Sequence, residues 1–280
     1  MSSGGPVTLA EPELLVALDE AEARLSFNAK QHIYRLDGKH IPGVTTIIDQ
    51  WRRRLLEDWK VRVQQEADIS VAYKLLCNPF EGVLPSLTQF TESFIAAAGE
   101  EYEHQRQSRE AADIGGQVHA LIESHIKKRL GIAFEIERPI SDEAQALFSS
   151  WLQWQAQAGF EPLFVERRVF DEVAWYAGTI DLGATVYGRK SVLDWKTKKA
   201  GARIAFWESQ ALQNVAYRKA LKAMGLGEWD GHIVVIPKDG REVQALPCEP
   251  GPKDKWTLES AYEAFLACLT LYRTNRAFGG

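Results

Sequence analysis

Hydrophobic and polar positions follow helical spacing over most of the first half of the chain. Residues 9–24 predict an acidic amphipathic helix, and the stretch from Thr45 to Leu130 repeats apolar residues at the same period. Between them, polar and apolar residues alternate, which predicts a small antiparallel hairpin. Turn-forming residues divide the long stretch, so it predicts several packed helices. They lie near Asn78-Pro79, Gly82 to Pro85, Gly99 and Gly115-Gly116.

The second half of the chain changes between strand-like and helix-like segments. Strands are predicted at 163–170, 173–188, 191–197, 232–237 and 241–246, and helices at about 141–158, 203–224 and 257–275. This order is typical of an α/β architecture in which helices pack on a mixed sheet. We expect an acidic helix within residues 1–24 and one domain over 25–280, with a helical elaboration at about 45–110 and a core at about 112–246.

Composition narrows the class of protein. The 280 residues contain no apolar run near the roughly 18 that a membrane span requires, which argues against membrane insertion. The beginning of the sequence shows no secretory or transit signal, so a cytoplasmic location is expected. Cys77, Cys248 and Cys268 share no metal-binding spacing and cannot all pair, which argues against a disulfide framework or a zinc ribbon.

The formal net charge of −5 argues against a nucleic-acid-binding protein, because such proteins usually carry a basic surface. Residues 1–23 hold five acidic and no basic residues, however, so the rest of the chain is balanced and has local basic clusters. Solvated helix faces or contacts to DNA would explain these clusters. The candidates for DNA contacts are Arg52, Arg53 and Arg54 in one cluster and Lys198 and Lys199 in another.

Two acidic residues and a lysine in neighbouring predicted strands are the clearest candidates for chemistry. Asp181 ends the segment Gly178-Thr-Ile-Asp, and Asp194 precedes Lys196 by two positions in the next strand. Alternate residues of a strand share a face, so Asp194 and Lys196 point together while Trp195 points away. A carboxylate in an apolar strand is costly unless it is paired or binds a cation. The set suits a divalent-metal phosphodiesterase, and a buried salt bridge is the alternative.

The same triplet occurs a second time, as Asp58-Trp59-Lys60. This copy lies in a helical pattern, and no strand with a Gly-x-x-Asp segment precedes it. We therefore interpret it as a solvated helix face and assign the chemistry to the copy in the strand. Two further tryptophans at helical spacing, Trp151 and Trp154, are expected to pack in the core rather than stack on bases.

Pairs of polar residues four positions apart flank the strands. His119 and Glu123 follow the glycines that are expected to open a helix, and a neutral imidazole is a common metal ligand. Gln213 and Tyr217 have the same spacing in the helix after Lys196, where an amide and a phenol can hold a phosphate. Packing is the alternative for both pairs.

Glu166, in the first strand of the group, is a further acidic candidate beside Arg167 and Arg168. A cross-strand ion pair is its alternative role.

The ordered set of motifs resembles the PD-(D/E)xK nuclease superfamily. Within it, the set is most similar to the RecB-type branch, which includes phage and CRISPR-adaptation nucleases and the mitochondrial genome maintenance exonuclease. The motifs are Gly-x-x-x-His119, Glu166, Gly-x-x-Asp181, Asp194-x-Lys196 and Gln213-x-x-x-Tyr217. The resemblance covers about residues 112–220 and extends weakly to YRLDGKHIPGVTTII near the N-terminus. Asp194 stands where many members have Glu, and either carboxylate binds a metal.

The resemblance implies a restriction-endonuclease-like mixed sheet flanked by helices, with a helical N-terminal elaboration. It implies that Mg²⁺ or Mn²⁺ is held by Asp181, Asp194, His119 and the backbone carbonyl of Trp195. No iron–sulfur cluster is expected, because members that have one use four cysteines. Lys196 would position or help to deprotonate the attacking water.

Gln213 and Tyr217 would complete a motif near the DNA backbone. The implied function is a metal-dependent deoxyribonuclease, more specifically an exonuclease that acts on single-stranded or duplex DNA ends in recombination, replication or repair. This function fits a phage-encoded protein. The expected location is the cytoplasm of a bacterial or phage-infected cell, and the expected partner protein is a single-strand annealing or binding protein. The alternatives are a single-strand or structure-specific endonuclease, a catalytically idle DNA-binding recombination partner, and an α/β protein with a structural salt bridge.

Overall fold

A computed structural model describes residues 11–51, 54–77, 86–98, 103–136, 138–251 and 254–278. The chain divides into two compact units, one of Met1–Trp51 with Gln117–Gly280 and one of Arg52–Gly116. Over the described ranges, no helix combines the length and the apolar character needed to cross a bilayer.

The first unit begins with the predicted acidic helix and a small antiparallel sheet. The elements are α1 (Glu11–Arg24), β1 (Leu25–Asn28), β2 (Ile33–Leu36), β3 (Lys39–Ile41) and α2 (Val44–Ile48). The sheet has one strand more than the predicted hairpin, because the chain turns again at Asp37 and Gly38. Leu25, Leu36 and Ile41 are buried in a small core beneath it.

The second unit is helical, as the periodicity predicts. It contains α3 (Arg54–Cys77), α4 (Leu87–Ala98) and the first part of α5 (Glu103–Arg129). The predicted breaks near Asn78 and Gly99 agree with the ends of α3 and α4, and residues 78–85 and 99–102 themselves lie outside the described part of the chain. The triplet Asp58-Trp59-Lys60 lies within α3, as predicted.

The prediction that Gly115 and Gly116 break the helical stretch and open a new helix is wrong, because α5 continues through both. A glycine inside a helix costs only about 1 kcal/mol relative to alanine. Packing of the residues that follow offsets this cost, since Val118, Ile122 and Ile126 are fully buried at helical spacing.

The rest of the first unit is a mixed sheet with helices, so the predicted α/β class is confirmed. The elements are α6 (Asp142–Gln157), β4 (Glu161–Asp171), β5 (Tyr176–Val186), β6 (Arg189–Lys198), α7 (Glu208–Ala223), β7 (Asp230–Pro237), β8 (Gln244–Pro247) and α8 (Leu258–Ala277). The strands follow in the order β4-β5-β6-β7-β8. Among these five strands β6 and β7 pair in parallel, with α7 between them in the chain, and the other neighbours pair antiparallel.

Two apolar layers cover this sheet. The larger joins residues of α1, α2, α7 and α8 to the strands and includes Leu18, Ile47 and Phe265, each fully buried. In the other layer the fully buried ring of Trp151 on α6 lies 6.3 Å from the ring of Trp195. Trp151 is therefore a core residue, as predicted.

A glycine in β7 lets α7 approach the sheet closely. A Cβ atom at Gly231 would lie only 1.7 Å from Oδ1 of Asn214 on α7, and Nδ2 of Asn214 donates to the carbonyl of Val192 at 3.3 Å. The helix that carries Gln213 and Tyr217 is thus seated on strand backbone.

We expect Gly231→Ala to lower the free energy of unfolding by about 2 kcal/mol, because the added methyl group overlaps Asn214. Urea unfolding followed by circular dichroism measures the loss. The matched control is Gly231→Ala in an Asn214→Ala background, where the cost should be much smaller. An equal cost in both backgrounds would contradict the proposed overlap.

Candidate active site

The candidate site lies where β5 and β6 stop pairing. Their ladder ends at the pair Leu182 and Leu193. The next residues on the two strands are Asp181 and Asp194. Beyond this point β5 stays paired with β4, and β6 stays paired with β7 as far as Lys198. The strands therefore diverge at the two carboxylates, and the backbone of β6 is open toward β5 there.

Asp194 is buried, and only one of its two carboxylate oxygens accepts a hydrogen bond from a described residue. Its Oδ1 accepts a hydrogen bond from Nζ of Lys196 at 2.7 Å, which confirms that these side chains share a face of β6. Its Oδ2 is buried without a hydrogen-bond partner in the described part of the chain. Burial and the adjacent Asp194 carboxylate hold the pKa of Asp181 well above its usual range. Beside one lysine, two carboxyl groups held this close are stabilised either by a proton on one of them or by a bound cation.

His119 reaches the site from α5. Its Nε2 lies 3.0 Å from the backbone oxygen of Trp195, to which the imidazole donates a hydrogen bond. Burial and the charge of Lys196 lower the pKa of His119 to about 4, so the ring is neutral near pH 7. Oε1 of Gln117 accepts hydrogen bonds from the amide and the hydroxyl of Ser141, both at 2.8 Å, and these bonds hold α5 against the start of α6.

The predicted metal ligands are brought together in two contacts. His119 meets the Trp195 carbonyl, and Asp194 meets Asp181. No three side chains of His, Cys, Asp or Glu form a metal-ligand cluster among the described residues. The donor set nevertheless fits a hard divalent cation, because it offers a buried carboxylate oxygen without a donor, a second carboxylate and a neutral imidazole.

Gln213 and Tyr217 lie together on α7, as predicted. Nε2 of Gln213 donates to the hydroxyl of Tyr217 at 3.2 Å. Burial raises the pKa of Tyr217 well above its usual range, and the charge of Asp181 adds to this effect, so the phenol keeps its proton. A Cβ atom at Gly178 would lie 2.5 Å from the Tyr217 ring. The glycine of the Gly-x-x-Asp motif therefore makes room for the phenol.

A pocket of about 540 Å³ extends from Asp181 toward the small N-terminal sheet. Its lining includes the predicted residues Asp181, Glu166, Gln213 and Tyr217, and it adds Glu22, Phe27, His32, Tyr34, Val44, Thr45, Arg168, Gly178 and Thr179. Sequence reasoning missed most of these additional residues.

Two hydrogen bonds order the pocket wall nearest the small sheet. The hydroxyls of Tyr34 and Thr179 are 2.9 Å apart, and Nε2 of His32 lies 3.1 Å from Oγ1 of Thr45. His32 has a positive φ of 54°. Three of these residues lie within or beside the segment YRLDGKHIPGVTTII, whose weak resemblance was the only sequence signal for this wall.

The two additional acidic candidates have different environments. Glu123 forms an ion pair with Lys127 at 2.6 Å, one turn further along α5. Glu166 has a positive φ of 51° and opens into the pocket. Partial desolvation of the carboxyl group and the charge of Glu123 raise the pKa of Glu166 to about 7.

Glu166 forms no ion pair with any residue that the structure describes, so its alternative role as half of a cross-strand ion pair is not seen there. Its neighbours Arg167 and Arg168 instead pair with α1, where Arg167 contacts Asp19 and both arginines contact Glu22. The backbone amide of Arg168 also donates to Glu22 at 2.9 Å. The acidic helix thus neutralises a basic cluster beside the pocket.

The predicted DNA-contacting clusters are described only in part. Arg52 and Arg53 lie outside the described residues, and Arg54 begins α3 but its side chain is not among those described. Lys199 is exposed directly after β6. Lys198, the last residue of β6, has a pKa lowered by burial and by the charge of Lys196.

Comparison with protein-family models and with curated proteins found no match for this chain.

We expect Glu166 to make stability depend on pH. Since its pKa in the folded state is raised to about 7 from 4.5, the folded state holds a proton between these values that the unfolded state releases. Stability from this group is full below about pH 4.5 and is lost as the pH rises through about 7. Because the side chain is exposed and water screens its interactions, we expect a contribution of only about 1 kcal/mol.

Glu166→Gln, which cannot ionise, should be more stable than wild type above about pH 7 and equal to it below about pH 4.5. Chemical unfolding across this range measures the difference. Glu161→Gln removes an exposed carboxylate from the same strand and serves as the control. A constant difference between Glu166→Gln and wild type at every pH would refute the expectation.

Proposed function

We propose that the chain is a divalent-metal-dependent deoxyribonuclease that hydrolyses phosphodiester bonds from DNA ends. The observation that carries the proposal is the buried Asp194, whose Oδ1 binds Lys196 and whose Oδ2 has no donor, beside a second carboxylate at the point where two strands diverge. The order of the motifs and the mixed sheet further support a restriction-endonuclease-like core for this unit.

Asp181, Asp194, His119 and the carbonyl of Trp195 would hold Mg²⁺ or Mn²⁺. When bound, such an ion polarises the phosphate, lowers the pKa of a water molecule and stabilises charge on the leaving oxygen. His119 suits this role because its low pKa keeps the imidazole neutral, and a neutral imidazole is the form that binds metals.

Lys196 is the residue best placed to act on the phosphate. Its ammonium group is fixed by Asp194 at 2.7 Å, and with DNA bound it would donate hydrogen bonds to a phosphate oxygen and to the attacking water. The Tyr217 hydroxyl keeps its proton and can donate to the DNA backbone, with Gln213 orienting it.

The reaction balances as a hydrolysis. The water oxygen forms a bond to phosphorus, and the bond between phosphorus and one sugar oxygen breaks. One proton of the water passes to solvent through the site, and the departing sugar oxygen takes up a proton to become a hydroxyl. The products are a phosphomonoester end and an alcohol end.

The ion pair between Lys196 and Asp194 also fits a purely structural role. A structural pair, however, gives no reason to bury a second carboxylate against the first, or to leave Oδ2 of Asp194 without a donor. Removing one partner of a buried structural pair mainly lowers stability, whereas removing a catalytic lysine mainly lowers the rate.

We expect Lys196→Ala to lower the rate of DNA hydrolysis at least about 100-fold, because charge developing on the phosphate loses a fixed donor. The assay follows end-labelled linear DNA and closed circular DNA, single-stranded and double-stranded, with Mg²⁺, with Mn²⁺ and with a chelator. The matched control is Lys60→Ala, since Lys60 ends the second Asp-Trp-Lys triplet, in α3, and should leave the rate unchanged.

Loss of linear DNA with metal, absent with chelator and in Lys196→Ala, is the expected result. Cutting of circles would replace the exonuclease by an endonuclease. If Lys196→Ala and Asp194→Asn lower the unfolding midpoint and wild type shows no hydrolysis under any condition, the proposal is wrong and the pair is structural.

A further inference from the structure

Trp207 differs from the other tryptophans of the protein. Its side chain is 49% exposed, whereas those of Trp151, Trp195 and Trp229 are at most 3% exposed. Of the tryptophans whose side chains the structure describes, it is the most exposed. An indole ring left in water forgoes much of the stabilisation that its burial would give, so an exposed ring at a candidate site suggests a ligand.

The ring stands beside the strand that carries the candidate lysine. Nζ of Lys198 lies 5.1 Å from the centre of the Trp207 ring. Lys198 follows Lys196 by two positions in β6, so its side chain leaves the same face roughly 7 Å further along the strand. An aromatic face and a cation are therefore presented together, one step from the candidate catalytic lysine.

Backbone hydrogen bonds hold both residues in place, so the amine and the ring are presented together. The amide of Trp207 donates to Oε1 of Gln210 at 2.8 Å, which fixes the residue at the start of α7. The carbonyl of Lys198 accepts from the amide of Lys238 at 2.9 Å, which ties the end of β6 to the residue after β7.

We propose that Trp207 and Lys198 form a subsite for one nucleotide of single-stranded DNA, next to the phosphate that is cleaved. Lys198 binds a phosphate, and the base of the same nucleotide stacks on Trp207. In a duplex both faces of an internal base are already stacked, so the ring can engage such a base only when the strand is unpaired there. The inference rests on the proposed nuclease function and deepens it, because it selects single-stranded ends as the substrate.

Binding without cleavage tests the subsite independently of the chemistry. Fluorescence anisotropy of a labelled single-stranded oligonucleotide, in chelator, gives the dissociation constant. We expect Trp207→Ala to weaken single-strand binding about 10-fold and duplex binding much less. Trp207→Phe keeps an aromatic face and should recover most of the affinity.

The matched control is Tyr187→Ala. Tyr187 is another exposed aromatic residue, 58% accessible, in the turn between β5 and β6 at the opposite end of β6 from Lys198. The Tyr187→Ala variant should bind single-stranded DNA as tightly as wild type does. In Lys198→Ala, the slope of the logarithm of the binding constant against the logarithm of salt concentration should be smaller by about one, as expected for the loss of one phosphate contact.

A scan with one abasic nucleotide at successive positions locates the stacked base. In wild type, one position should weaken binding about 10-fold, and in Trp207→Ala that sensitivity should vanish. If the abasic nucleotide and Trp207→Ala weaken binding by additive free energies, the subsite is wrong. It is also wrong if Trp207→Ala weakens the binding of single-stranded and duplex DNA equally.

The outcomes also separate the two proposals. Strand-selective binding through Trp207 without hydrolysis in any metal would keep the subsite and refute the nuclease. Hydrolysis that depends on Lys196, with Trp207→Ala binding single strands as wild type does, would keep the nuclease and refute the subsite. The thermal unfolding midpoint of Trp207→Ala, expected to equal that of wild type, shows whether the variant is folded.

Discussion

The placement of Asp181 and Asp194 side by side is the constraint on which the rest of this unit depends. Two carboxylates in a partly buried gap repel each other, and one lysine offsets only part of that repulsion. Around them the fold supplies groups that stay uncharged, namely the imidazole of His119 and the phenol of Tyr217. The divergence of β5 from β6 creates the gap, and α5 and α7 bring His119 and Tyr217 to it. The folded chain thus keeps two acidic groups side by side where its own packing would favour none.

Much of the fold follows from local patterns in the sequence. The period of two in β6 predicts that Asp194 and Lys196 share a face, and the period of four in α7 predicts the pairing of Gln213 with Tyr217, because neither depends on distant parts of the chain. The predicted break at Gly115 is wrong because burial of the following turns outweighs a weak local preference. Local propensity has least influence where tertiary contacts are densest.

Other parts of the site arise only from tertiary structure. Arg167 and Arg168 form a basic pair in the sequence, yet α1 packs beside them and supplies the neutralising acids from far away in the chain. Likewise, nothing in the sequence near Thr179 indicates that Tyr34 will bond to it and form a pocket wall. Such pairings link segments more than a hundred residues apart, where periodicity carries no information.

The contact of α7 with Gly231 determines which elements must be kept together if this site is grafted onto another protein. Asn214, the residue that contacts the strand backbone at Gly231, directly follows Gln213. Its contact fixes the rotation of α7 about its axis and therefore the positions of the Gln213 amide and the Tyr217 phenol. A designer who grafts the strand motifs alone onto another sheet would lose the alignment of these two groups. The smallest portable unit of the site therefore includes β7, a strand that contributes none of its candidate catalytic side chains.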